Sequence, residues 1–311
     1  FALWKRDDTP GASWPSPWGQ GRPGWHIECS AMSRSFLGKT FDIHGGGRDL
    51  VFPHHENEIA QSEAANGCTY ARYWMHSGLL TINKQKMSKS LGNHILIRDF
   101  VQRFPGEVLR LAYLQNHYTS NVDFGESVFR QAARRLLYFY ESLHELDRLA
   151  EGAPAQAKYL PGHDPESSKE AFHREMSNDF STVGALRELL LAFRKANELK
   201  QGRKSPEKSY TARAYTQTFR ELFRVFGILQ MEPQAFTDRL KQQILNEMNV
   251  PLKLVEDKIA ARQAARAAKD YARGDQVRKE LVELGIDVMD TPEGTRWTIL
   301  WKDEDDSKPA K

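Results

Sequence analysis

The chain has 311 residues, of which 40% are hydrophobic and 27% charged, and its formal net charge is +3. This composition is typical of a soluble globular protein with two or three domains, and no apolar run approaches the roughly 20 residues that would span a bilayer. The two cysteines, Cys29 and Cys68, exclude a disulfide framework, and with no visible signal peptide they favour a cytoplasmic protein, which we expect to be a monomer.

The first 124 residues predict an α/β domain. A loop region rich in Trp, Pro and Gly opens the chain, and strand-like pieces at 41–43 and 78–82 then alternate with helical stretches. The opening residue is Phe1 and the first stretch has the texture of mid-domain sequence, so we expect an incomplete fragment.

Residues 125–249 predict a helical bundle. Apolar residues recur at helical spacing in three stretches, and Gly227 is placed to end the last of them. A polar, proline-containing linker from Glu151 to Ser168 separates the first stretch from the other two.

Residues 250–302 predict a small α+β domain. Two basic amphipathic helices between 252 and 284 precede a β-hairpin around Pro292 and Gly294. The remaining residues, 303–311, are charged and predicted to be disordered.

Cys29, His54 and Glu58 form a candidate metal site. His54 and Glu58 are four residues apart and share one face if this stretch opens a helix. A thiolate, an imidazole and a carboxylate suit zinc. The alternative is a helix N-terminus with acids that complement its dipole, beside a buried thiol.

The string from Lys86 to Asn93 reads KMSKSLGN. The ammonium groups of Lys86 and Lys89 can neutralise phosphate charge that develops as pyrophosphate leaves. An exposed basic loop is the alternative interpretation.

Three glycines, Gly45 to Gly47, follow a predicted strand and precede Asp49. Glycines at such a place let the backbone approach a nucleotide closely, although a flexible turn is the more common explanation.

Basic residues of the C-terminal part form a stripe along successive helical turns, and the hairpin adds a cation and an aromatic ring. Positive charge beside an aromatic suits single-stranded RNA, whereas acidic neighbours allow a merely solvated face. The candidate RNA-binding residues are Lys258, Arg262, Arg266, Arg296 and Trp297.

Taken together, four strings resemble the cysteinyl-tRNA synthetase family of class I. They are residues 24–32 (GWHIECSAM), 42–58, 73–78 (YWMHSG) and 86–93, and the resemblance extends to about Trp301. It implies that the α/β part is the second half of a class I Rossmann-like catalytic domain, followed by the bundle and the anticodon-side domain. It implies an ATP-dependent ligase that uses Mg²⁺ and joins cysteine to tRNA(Cys).

The resemblance also implies roles for individual residues. Cys29, His54 and Glu58 match three of the four zinc ligands of the family, and Trp25 and His44 match residues that line the amino-acid pocket. Lys89 matches the ATP-contacting lysine of the KMSKS loop, and Gly46, Gly47 and Asp49 resemble the segment near the adenosine ribose. The family's HIGH motif and its fourth zinc ligand have no match in this chain, so we expect little or no cysteine activation by the chain alone.

Two other functions stay open. The mycothiol-pathway cysteine ligase resembles the same catalytic core but has no need for an RNA-binding tail. A truncated, non-catalytic tRNA-binding paralogue would need neither the KMSKS loop nor the zinc trio.

Overall fold

The computed structural model describes residues 2–82, 85–87, 95–291 and 294–301, without the side chains of Lys86 and Thr291. The chain divides into two compact units. One takes in the residues up to Thr81 together with 118–122, and the other takes in Ile82–His117 and the chain from Asp123 onward.

The first unit is built around a β-α-β arrangement. Strands β3 and β4 pair in parallel, with His44 opposite Trp74 and Gly46 opposite His76. Parallel neighbours need a crossover, and helix α2 supplies it. The elements are β1 (Trp4–Arg6), β2 (Gly21–Pro23), α1 (Trp25–Leu37), β3 (Phe41–Gly47), α2 (Glu56–Asn66), β4 (Ala71–Ser77) and β5 (Leu80–Ile82).

The three glycines after Ile43 lie inside β3 and not in a turn after it, which corrects the sequence prediction. Pairing with Met75, His76 and Ser77 of β4 extends the strand to Gly47. A short 3₁₀ turn (Arg48–Leu50) and a π turn (Val51–His55) then lead into α2. His54 and Glu58 therefore belong to two consecutive helical pieces and still come to lie on the same side.

The second unit is mainly helical, as predicted, and α5 is packed against α4, α7, α8 and α9. The Phe139 ring, fully buried on α5, lies 4.9 Å from the Phe193 ring and 5.1 Å from the Phe223 ring. The bundle elements are α3 (Ile97–Arg103), α4 (Gly106–Leu114), α5 (Glu126–Ala150), α6 (Pro165–Met176), α7 (Thr182–Asn197), α8 (Pro206–Phe226) and α9 (Pro233–Glu247), and short strands β6 (Gln85–Lys86) and β7 (Val122–Asp123) flank the first two of these.

Capping residues decide where these helices begin and end. The Asp164 side chain accepts hydrogen bonds from the backbone amides of Glu166 and Ser167, and Pro165 occupies the first turn. Helix α6 therefore begins at Pro165, inside the stretch that the sequence analysis assigned to the linker. Gly227 ends α8 in the left-handed conformation (φ 63°), which confirms that prediction.

The C-terminal part has the predicted α+β order. Helices α10 (Leu252–Ala267) and α11 (Tyr271–Glu283) precede an antiparallel hairpin of β8 (Ile286–Thr291) and β9 (Gly294–Ile299). Residues 303–311 and the turn at Pro292 lie outside the described residues. In the described part of the chain, no helix combines the length and apolarity that a membrane crossing needs.

Candidate metal centre

Three side chains from three different elements of the first unit converge. Cys29 comes from α1, His54 from the π turn and Glu58 from α2, and one ligand atom of each lies within 4.8 Å of the other two. Cys29 is half-buried, whereas His54 and Glu58 are buried, Glu58 completely. The structure thus brings together the three residues that the sequence analysis grouped.

Glu58 is held through one of its carboxylate oxygens. Its Oε2 accepts a hydrogen bond from the Tyr70 hydroxyl at 3.0 Å and contacts His44 Nε2 at 2.9 Å. Its Oε1 lies 2.5 Å from His54 Nε2. These contacts fix the direction in which the carboxylate presents its first oxygen.

His54 is oriented by His26 and Trp25. Its Nδ1 lies 2.8 Å from His26 Nδ1, so one ring donates a proton to the other there. The Trp25 indole, 54% exposed, covers the imidazole with 4.2 Å between ring centroids. His54 Nε2 is therefore the nitrogen that faces Glu58.

Sequence reasoning missed a second group of histidines beside this trio. His44, His55 and Glu58 also place one ligand atom each within 4.8 Å of one another, and His55 Nδ1 lies 2.8 Å from His76 Nε2. The glycine at position 46 is the trace of this group in the sequence. In the structure a Cβ there would lie 2.6 Å from the His55 ring, so glycine makes room for that imidazole.

Burial shifts the pKa of each member of the trio toward its uncharged form. Burial, with the neighbouring Glu58 and Glu28 carboxylates, raises the pKa of the Cys29 thiol. Burial raises the pKa of Glu58 against the opposing hydrogen bonds from Tyr70 and Cys29. Burial and the nearby His26 lower the pKa of His54.

These groups fit a bound divalent cation. Among the described residues, buried Glu58 Oε1 has no hydrogen bond of acceptable geometry, although an imidazole nitrogen lies beside it. A cation held by the thiolate, the imidazole and the carboxylate would remove the penalty of burying these groups unpaired. The donor set of sulfur, nitrogen and oxygen is one that zinc accepts.

The predicted nucleotide residues lie next to this centre on β3 and the turn that follows. A Cβ on Gly47 would lie 2.5 Å from Asp49 Oδ1, so local packing also favours glycine at position 47. His44, predicted to line the amino-acid pocket, contacts Glu58 as described. Lys89 and the side chain of Lys86 lie outside the described residues.

The predicted RNA-binding cations are engaged with acids in the structure. Lys258 donates to Glu280 at 2.6 Å, and Arg262 makes a two-point contact with Asp290 at 2.6 and 2.8 Å. Arg262 is 5% exposed, which leaves it no free face for a phosphate in this conformation. Arg266 is half exposed, with a single longer contact to Asp290 at 3.4 Å.

The two predicted hairpin residues contact the bundle. Arg296 pairs with Glu145 of α5. The Trp297 ring lies under the Lys241 ammonium at 4.9 Å, and its carbonyl accepts a hydrogen bond from the same ammonium. Both side chains therefore help to hold the hairpin against α5 and α9.

Three family models match the chain in succession. Residues 1–134 match the class I (C) tRNA synthetase catalytic domain, residues 171–230 match the DALR domain, and residues 255–297 match the cysteinyl-tRNA ligase anticodon binding domain.

The curated relatives are cysteine–tRNA ligases. The chain is 44% identical to the cysteine–tRNA ligase of Pelobacter propionicus and 45% identical to that of Syntrophotalea carbinolica, over 96% of its length in both. It spans 63% and 62% of those two proteins. Apo methionyl-tRNA synthetase of Mycobacterium tuberculosis superposes with a TM-score of 0.49 at 12% identity over 81% of this chain and 54% of that one.

Proposed function

The chain belongs to the cysteinyl-tRNA synthetase family, and from this premise we propose that it serves the ATP-dependent activation of cysteine and its transfer to tRNA(Cys). The observation that carries the proposal is the convergence of Cys29, His54 and Glu58 beside Trp25 and His44. A sulfur-containing donor set at the amino-acid pocket is what selection of a thiol requires.

Cys29, His54 and Glu58 would hold a zinc ion in this centre. Zinc bound by three protein ligands keeps a coordination position open, and because sulfur is a much better ligand for it than a hydroxyl oxygen, it distinguishes cysteine from serine. A hydrophobic pocket alone could not achieve this, because the two amino acids differ by one atom.

The residues around the trio position it. His44 and Tyr70 hold Glu58 Oε2, so that Oε1 points toward His54 and Cys29. His26 occupies His54 Nδ1 and leaves Nε2 as the ligating nitrogen. Trp25 covers the His54 ring and restricts the access of water to it. Such outer contacts typically change metal affinity 10- to 100-fold.

Activation itself would follow class I chemistry. The cysteine carboxylate attacks the α-phosphate of ATP, an aminoacyl-adenylate forms and pyrophosphate leaves with Mg²⁺. In this scheme Lys86 and Lys89 stabilise the leaving pyrophosphate, and Gly46, Gly47 and Asp49 adjoin the adenosine ribose. Positioning and charge stabilisation carry such a step, because no covalent enzyme intermediate is needed.

The match of residues 255–297 to an anticodon binding domain supports tRNA over an amino sugar as the acceptor, since a sugar ligase would not need such a domain. We assign the bundle, residues 125–249, to the stem side of the tRNA and residues 250–302 to its anticodon, with the half-exposed Arg266 as the cation best placed to meet a phosphate. The two free cysteines suit a reducing cytoplasm, where the enzyme would act as a monomer.

The test is calorimetric titration of the zinc-loaded chain with cysteine and, separately, with serine. We expect cysteine to bind at least about 100-fold more tightly than serine, and Cys29→Ala to remove this preference. The variant Cys68→Ala, which removes the other thiol, is the matched control and should keep it. Equal binding of the two amino acids by the zinc-loaded chain would refute the proposed selection.

A further inference from the structure

Two tryptophans project from the loop that joins β1 to β2. Trp14 is 54% exposed and Trp18 is 77% exposed. Tryptophan is mostly buried in folded proteins, and exposed aromatic surface among polar residues marks an interaction site. We call residues 7–20 the tryptophan loop.

The exposure of these rings is built into an ordered loop. Ser16 Oγ donates to the Gly19 carbonyl at 2.7 Å, and the Gly19 amide returns a hydrogen bond to the Ser16 carbonyl at 3.0 Å. Trp14 and Gly21 exchange two backbone hydrogen bonds, at 2.7 and 3.0 Å. The flanking residues Pro15 and Pro17 fix two more backbone angles. A ring presented by such a loop has little conformational entropy left to lose when a partner stacks on it.

The strands below the loop carry positive charge. Lys5 and Arg6 are exposed on β1, the Arg6 side chain at 89% with one long contact to Asp8 at 3.9 Å. Arg22 on β2 is paired with Asp7 at 2.9 Å. Exposed indoles with cations on the adjoining strands match the unpaired bases and phosphates of single-stranded RNA. The charged side chains of β1 and β2 are a poorer match to an apolar protein partner.

The strands that carry the tryptophan loop are tied to the start of α1. The Gly24 amide donates to the Leu3 carbonyl at 2.8 Å, and a Cβ on Gly24 would lie 2.0 Å from the Ala2 carbonyl oxygen. This close approach holds the start of the chain against the residue before Trp25, where α1 begins. The loop and the pocket residue Trp25 are therefore parts of one tightly connected segment.

We propose that the tryptophan loop binds the single-stranded 3′ end of the tRNA, with Trp18 stacking on an unpaired base and Arg6 facing the backbone phosphates. Arg6 lies on the same face of β1 as Trp4, whose ring is 6.3 Å from the Trp18 ring. This inference rests on the proposed function, because the acceptor ribose must reach an activated cysteine held beside Trp25. Trp18 is a positioning residue for the RNA and does not take part in selection of the thiol.

The test measures fluorescence anisotropy of a short single-stranded RNA that ends in a free 3′ ribose and lacks the anticodon sequence. We expect Trp18→Ala to weaken RNA binding about tenfold or more and Trp18→Phe to recover most of the affinity. Arg6→Ala should reduce the salt dependence of RNA binding. Phe36→Ala is the matched control, since Phe36 is an 83% exposed ring on α1 of the same unit. A base-paired RNA of equal length should compete poorly.

Wild-type affinity in Trp18→Ala, or an equal loss in Phe36→Ala, would overturn the inference. The same proteins are titrated with cysteine, which separates this outcome from failure of the proposed function. If Trp18→Ala keeps cysteine selectivity and loses RNA, both proposals stand. If the wild-type chain selects cysteine but Trp18→Ala binds RNA as tightly as the wild type, the proposed role of the tryptophan loop is wrong and the proposed function stands. If the wild-type chain does not select cysteine, the proposed function is wrong, and the inference that rests on it falls with it.

Discussion

The Nδ1 atoms of His26 and His54 lie 2.8 Å apart, and this contact determines which nitrogen of His54 faces Glu58. Nε2 of the same ring lies 2.5 Å from Glu58 Oε1. His26, the second residue of α1, thus sets the orientation of a ligand that the chain supplies 28 residues later. Tyr70, which directly precedes β4, does the same for Glu58.

Removal of the Tyr70 hydroxyl should weaken metal binding. In Tyr70→Phe the Glu58 Oε2 loses a hydrogen bond of 3.0 Å, so the carboxylate is oriented less firmly. We expect the zinc affinity to fall about tenfold, as for other outer contacts of metal ligands. Competition with a chromophoric chelator measures it. Tyr73→Phe, at a 68% exposed ring on β4, is the control and should bind zinc as the wild type does.

Zinc uptake should release a proton from Cys29. Burial and the Glu58 and Glu28 carboxylates raise the pKa of this thiol, so it is protonated at neutral pH before the metal arrives. Since only the thiolate ligates, we expect the apparent affinity to rise about tenfold per pH unit between pH 6 and pH 8. Calorimetry in buffers of different ionisation enthalpy counts the protons. A pH-independent affinity would show that the thiol is not a ligand.

Asp290 should stabilise the C-terminal part by compensating Arg262. The Arg262 side chain is 6% exposed, and Asp290→Asn would leave its charge buried without a carboxylate. We expect a loss of about 2 kcal/mol in unfolding free energy, less than for a fully buried pair because Asp290 itself is 41% exposed. Denaturant titration measures this. The exposed helical pair of Lys253 and Asp257 is the control, and Asp257→Asn should cost no more than about 0.5 kcal/mol.

The same pair should give a defined acid dependence. The hydrogen bonds from Arg262 lower the pKa of Asp290 from its ordinary value of 3.8 to about 2. A depressed carboxyl pKa contributes stability that is present above pH 4 and is lost as the pH falls toward 2. The stability difference between wild type and Asp290→Asn should therefore shrink across that window. A constant difference from pH 5 to pH 2 would contradict the assignment.

Substitution of Arg266 should affect RNA binding, whereas substitution of Arg262 should affect stability. Arg266 is half exposed on the same helix, and we expect Arg266→Ala to weaken tRNA binding several-fold and to reduce the salt slope by about one. Arg262→Ala should instead lower the thermal midpoint of the C-terminal part, because Arg262 bridges α10 and β8. If Arg262→Ala weakened RNA binding at unchanged stability, the sequence prediction for Arg262 would be right and this interpretation of its burial wrong.

The sequence predicted the α/β, helical and α+β order because each part has a clear periodicity and capping residues. It grouped Cys29, His54 and Glu58 because a thiolate, an imidazole and a carboxylate suit zinc and because the three match ligands of the family. It could not predict that the glycines of 45–47 lie within β3, since strand length there depends on pairing with β4, some 30 residues later in the chain.

The sequence also could not show which cations stay available. The stripe of basic residues on α10 is visible in the periodicity, but Asp290, which pairs with Arg262, is 28 positions away on the hairpin. In the same way, only the structure shows that His26 contacts His54, that Tyr70 donates to Glu58 and that His76 contacts His55. Long-range partners of this kind leave no periodic signal.

The central claim is that a metal held by Cys29, His54 and Glu58 binds the sulfur of the incoming cysteine. Zinc K-edge X-ray absorption of the loaded chain measures it directly, because sulfur ligands at about 2.3 Å are distinguished from nitrogen and oxygen at about 2.0 to 2.2 Å. We expect about one sulfur ligand per zinc in the chain alone, about two after addition of cysteine, and no change with serine. An unchanged sulfur shell in the presence of saturating cysteine would contradict the claim.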